Sequence, residues 1–294
     1  MSASLTKSGP LSLSQSLRQF RRSTVARYPL AALGAVLLFF ICGAALFAGV
    51  MGTIDPTAIA PSNRLKPPTN ANWLGTDQFG RDVWSRLVYG ARVSLIVGLF
   101  VATFSIGLGL VIGMVAGYIR WLDAIVMRVM DGLMAIPGIL LAIALVSLSG
   151  ASITTVIVAI MIPEIPRVVR LVRAVVLSVR EEPYVESAIS IGTPLPLILY
   201  RHVLPNCIPP LIVQATYICA SAMLTEAILS FLGAGTPPAI PSWGNMIAEG
   251  RIFFQIAPWN ILWPGVALSL TILAVNVLGD GLRDKLDPKI AKRM

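Results

Sequence analysis

The sequence predicts an all-α, polytopic membrane protein with six transmembrane helices. Three observations carry this. Of the 294 residues, 56% are hydrophobic and only 13% are charged, far from the balance of a soluble domain. The apolar excess is gathered into six runs of the length that a helix rising 1.5 Å per residue needs to cross a bilayer. Seventeen of the 23 Lys and Arg fall in the tails and loops that six spans leave on one side, which the positive-inside rule makes the cytoplasm. The net charge of +9 therefore reads as a topology signal. Few aromatics are interleaved with the bases, so no nucleic-acid surface is expected.

Taken in order, residues 1–29 form a cytoplasmic N-terminal tail, rich in Ser and Arg and without an acid. Leu13, Leu17 and Phe20 fall at helical spacing beside Arg18, Arg21 and Arg22. A short helix on the inner membrane surface and a structureless basic tail both fit. Residues 30–50 are uncharged and form the first span. Residues 51–92 are polar, and Pro56, Pro61, Pro67 and Pro68 rule out a continuous helix. Asp77, Arg81 and Asp82 are expected to pair locally and shape a compact outer loop. Five bases within 64–92 share that loop with three aspartates, a positive excess on the wrong side.

Residues 93–281 form a core with five further spans. In the span at 93–119, Gly109, Gly113 and Gly117 recur every four residues and permit close packing along one face. The third span, 124–148, carries an expected Arg128–Asp131 pair and a kink at Pro137. The fourth begins at 153 and runs to about 169. Pro163, Glu164 and Pro166 interrupt it, and it continues out of the membrane as a basic helix. The fifth and sixth spans lie at 208–232 and 259–278, and residues 282–294 form a cytoplasmic tail. Cys42, Cys207 and Cys219 lie in or beside apolar runs without metal-ligand spacing. They read as small buried hydrophobes, and no metal site is expected. His202 is the only histidine.

Residues 180–206 form a polar, punctuated segment between two spans. Pro183 suits the first position of a helix, and Gly192 its left-handed end. Thr193-Pro194 reads as a new cap and first turn, and Leu204-Pro205 as the stop of that second helix. Ala188 and Gly192 are four apart and leave one face nearly bare, with Glu186 beside it. An ordinary loop helix packing on its own chain fits these residues equally.

Glu186-Ser187-Ala188, Gly192 and Leu204-Pro205 resemble the cytoplasmic loop of bacterial ABC importer permeases. Ser187 and His202 depart from the residues usual there, Ala and Ile. The run Trp73–Leu95, WLGTDxxGRDxxSRLxxGARxSL, resembles the dipeptide, oligopeptide and nickel subgroup, in the subunit with an extra first span. Its Gly75, Thr76, Asp77, Gly80, Arg81 and Asp82 are given a structural role. Residues 226–250 and 276–288 match the same subgroup in order, with Ala234 where Leu is common. The resemblance implies the type I ABC importer permease fold in a bacterial inner membrane, with residues 51–92 periplasmic. It implies a homologous second permease, two ATPase subunits and an extracytoplasmic substrate-binding protein. Residues 180–206 would dock on an ATPase, and the cargo would be a small solute, most often a di- or oligopeptide.

No GxxxxGK[ST] phosphate loop occurs, so ATP and Mg are expected in partner subunits and no cofactor or catalytic residue in this chain. Glu226 and Asp131 are the candidates for the translocation path; structural pairing near span ends is the other reading of both. The rival function is an ion-coupled secondary transporter working without an ATPase. It would need its own coupling charges, and Glu226 alone is placed for that.

Overall fold

The computed structural model describes residues 29–286, and these are almost wholly helical. Among the described residues the one β-like feature is an isolated antiparallel bridge, Thr76–Asp82. The expected features of residues 1–28 and 287–294 lie outside the described residues.

Helix α1 (Pro29–Leu46) is apolar throughout, and most of its large side chains are exposed, as a lipid-facing helix requires. Its last carbonyls, which no helical N–H reaches, are taken by Arg92. That guanidinium donates to Ala45 O and, at 3.0 Å, to Leu46 O. Helix α2 (Val83–Tyr118) starts inside the predicted loop rather than at Val93. Asp82 caps it, accepting from Ser85 N at 2.8 Å and Ser85 Oγ at 2.7 Å, and so fixes the start.

The third span is broken rather than kinked. Helix α3 (Arg120–Met134) and helix α4 (Gly138–Ser149) meet at 85° across Pro137. The expected Arg128–Asp131 pair is replaced by a longer-range one, Arg170 Nη2 to Asp131 Oδ1 at 2.6 Å. Helix α5 (Ile153–Val179) runs unbroken through Pro163 and Pro166, so the predicted interruption does not occur. Its continuation beyond 169 does. Glu164, Arg167, Arg170 and Arg173 make its second half markedly polar.

Helix α6 (Pro183–Ser190) starts at Pro183 and its turn closes at Gly192, φ +81°, both as predicted. Thr193 caps nothing. Pro194 precedes helix α7 (Leu195–Ile198), which passes through one π-helical turn, Leu199–Val203, into helix α8 (Leu204–Phe231). Leu204-Pro205 therefore does not stop the helix: Pro205 falls in the first turn after the π segment, where a missing N–H does little harm. Helix α9 (Trp243–Gly250) is short, and helix α10 (Trp259–Leu286) extends past the predicted end at 278 into the tail.

The glycine stripe of α2 sets the central packing. A Cβ on Gly113 would lie 2.8 Å from Val172 Cβ, and one on Gly117 2.9 Å from Val176 Cβ; Gly109 meets Val168 closer still. Contacts that advance together along both chains mean that α2 and α5 run parallel. Lipid tails are as apolar as the helices, so close van der Waals fit rather than water exclusion holds this pair together. Gly34 packs on the Ala274 carbonyl and Gly279 on Thr216, which places α10 between α1 and α8. By length and composition α1, α2, the α7–α8 run and α10 can each cross a membrane, and the bent α3–α4 pair can form one more crossing.

Candidate coupling segment and outer charge cluster

The segment between α5 and α8 is anchored from inside and apolar outside. Val185, Ala188, Ile198 and Val203 are buried against the chain. Ala188 therefore does not offer a bare face. Glu186, Ser187 and Pro205 are exposed and Leu204 is half-buried. Gly192 is exposed with open space where a side chain would start. Around it Ile189, Leu197 and Tyr200 are exposed, and Ile191 is 83% exposed. Tyr184 leans on His202 with ring centroids 5.8 Å apart, and Asn206 Nδ2 donates to His202 O at 2.7 Å. Exposed apolar side chains thus crown a loop that is braced from inside.

At the N-terminal end of α2 the loop before it closes on four charges. Gly75 (φ +84°) and Gly80 (φ +75°) turn the chain where L-residues are strained. Thr76 is buried and accepts from Lys66 N at 2.9 Å. Asp77 Oδ1 accepts from Phe79 N and Arg81 N at 2.8 and 2.9 Å, and its Oδ2 meets Arg81 Nε. The expected local pairing is present but incomplete. Arg81 also reaches Glu249 on α9, and fully buried Arg86 lies 3.6 Å from Asp77 Oδ2 and 3.4 Å from Glu249 Oε2. Burial pushes the Glu249 carboxyl above the usual carboxylate range, against the lowering pull of Arg86 and Arg81. Glu249 was missed from sequence. Its signal was the positive excess of residues 64–92, which called for an acid from elsewhere. Trp259 Nε1 donates to Thr76 O at 3.2 Å, tying α10 to the same loop.

Glu226 is 0% exposed and does not line an open path. Its Oε1 accepts from Ser230 and Ser242 Oγ, each at 2.9 Å, and from Thr236 Oγ1 at 3.4 Å. Asn245 Nδ2 donates to Thr236 O at 3.0 Å. Together they brace the 232–242 turn and the start of α9 against α8. Asp131 differs: its side chain is 59% exposed beside Arg170.

Comparison with known proteins matches this architecture. Residues 105–292 match the family described as binding-protein-dependent transport system inner membrane component. The probable peptide ABC transporter permease protein y4tQ of Sinorhizobium fredii is 56% identical, over 91% of each chain. The dipeptide transport system permease protein of Alkalihalophilus pseudofirmus is 43% identical over 89% of this chain and 86% of its own. The glutathione transport system permease protein of Pectobacterium atrosepticum is 40% identical over 93% and 91%. A chain of the MetNI methionine ABC transporter, solved in inward-facing conformations, shares the fold. Its TM-score is 0.58 at 18% identity, over 70% of this chain and 97% of its own. These likenesses lend no support to the ion-coupled secondary transporter. The chain is a transport subunit rather than an enzyme, and permeases of its kind work with an ATPase and a substrate-binding protein. It belongs to the binding-protein-dependent transport system inner membrane component family, the membrane-spanning permeases of ABC importers.

Proposed function

We propose that this permease passes short peptides inward and is driven through residues 180–206 by an ATPase docked on its cytoplasmic face. The observation that carries the reading is the exposed crest around Ile191, set between α5 and the unbroken run Leu195–Phe231. A partner that displaces the crest pulls on both helices, because only the short turns 180–182 and 191–194 join them to it. Glu186, Ser187, Ala188, Gly192, Leu204 and Pro205 form the frame of this contact. Ala188 acts from inside, by seating α6.

The assembly we infer holds a homologous second permease, two ATPase subunits carrying ATP and Mg, and an extracytoplasmic binding protein. Both termini are cytoplasmic, and the charge cluster at Arg81 faces the binding protein's side. Peptide, dipeptide and glutathione cargo in the relatives' names points to a short chain with a free carboxylate. Asp131 and Arg170 pair with both side chains about half exposed. Asp131 is the remaining candidate for the path, near its inner end.

Ile191→Glu tests the docking role. Ile191 makes no buried contact, whereas any side chain at Gly192 strains the backbone and confuses folding with docking. In reconstituted transporter, I191E should lose at least tenfold in peptide-stimulated ATP hydrolysis and uptake while remaining in the membrane. Wild-type uptake by that variant would remove the docking role. Stimulation by nickel complexes but by no peptide would remove the cargo.

A further inference from the structure

We propose that the outer charge cluster holds one water molecule as a fixed member, bonded to Arg86 Nη1, Glu249 Oε1 and Asn260 Oδ1. These three buried atoms find no partner among the described residues, and their side chains line one cavity of about 10 Å³. Arg86 is 1% exposed and Asn260 5%. Buried polar groups are satisfied in native proteins, and a buried one left without a partner is destabilising. Three around one small space point to a shared ligand.

The chemistry of the three atoms selects it. Arg86 Nη1 can only donate; Glu249 Oε1 as a carboxylate oxygen and Asn260 Oδ1 as an amide oxygen accept. Water matches this set, with a lone pair for the guanidinium and one O–H for each oxygen. A cation would sit against Arg86, and an anion against Glu249 and the amide oxygen. The volume is at the lower limit for a single water. The three partners come from α2, α9 and α10. The water therefore adds a polar link between the last long helix and the charge cluster.

Two measurements test it. A map of the intact transporter in lipid at about 2 Å should show density within hydrogen-bond distance of all three atoms. An empty cavity, or a rotamer joining Asn260 directly to Glu249 or Arg86, overturns the proposal. Asn260→Leu is nearly isosteric and expels the water, stranding Arg86 Nη1 and Glu249 Oε1. Asn260→Ala leaves room for water to remain. A hydrated site gives N260L a Tm several degrees below N260A; a dry one gives N260L the higher Tm and sinks the idea. If N260L does not accumulate, the map of the unaltered protein decides.

Discussion

Gly80 and Gly132 show how one residue type does opposite work in this chain. Gly80 holds φ +75° with the Ala60 carbonyl packed where a Cβ would be; Gly132 lies in a helix with nothing nearby. Gly80→Ala should cost about 1–3 kcal/mol from backbone strain alone, more with the collision. Gly132→Ala should be neutral or stabilising by up to about 1 kcal/mol. Thermal unfolding of the two variants in one detergent compares them, and equal Tm values would contradict the loop geometry. Charges separate in the same way. Glu249→Gln leaves Arg81 and Arg86 short of an anion in a buried setting, at about 3–5 kcal/mol. Asp131→Asn breaks an exposed pair worth about 1 kcal/mol or less. A smaller Tm loss for E249Q than for D131N would show that the cluster is solvated. The Asp77–Arg81 pair was legible because four residues separate its members. The Arg81–Glu249 pair spans 168 positions, and only a surplus of unmatched bases hinted at it.

At the scale of elements, the four-residue glycine repeat told which face of α2 is packed, but not that Val168, Val172 and Val176 fill it. Replacing Gly113 by Leu forces a side chain into Val172 and should separate α2 from α5. Overpacking of this kind costs about 1–3 kcal/mol, so G113L should reduce the assembled permease recovered from membranes while G107L, in open space, does not. Equal recovery of both would mean that this interface does not hold the subunit together. Proline was the less reliable guide. Pro137 with Gly138 breaks a helix through 85°, whereas Pro163 and Pro166 ride inside one. A proline removes one N–H and crowds one carbonyl, and packing against the α2 stripe outweighs that cost in α5. Pro205 was misread for a related reason. One π turn absorbs it and lets α7 continue into α8, an irregularity that no composition or spacing announces.

For the whole molecule, composition, basic-residue distribution and four ordered signatures were enough for the membrane fold and the family. The place of the bend in the third span was legible at Pro137 but its sharpness was not, nor was the burial of Glu226, because both depend on what other helices place beside them. The uninterrupted stretch Leu195–Phe231 has a mechanical consequence. At about 1.5 Å per residue its 37 residues make a shaft of about 55 Å. A tilt of about 5° about the cytoplasmic end would swing the far tip by about 5 Å, a stroke on the scale of a peptide backbone's width. Small angular travel at a crest of a few side chains would thus be geared up into an opening at the other face, with the α9 turn carried along by Glu226.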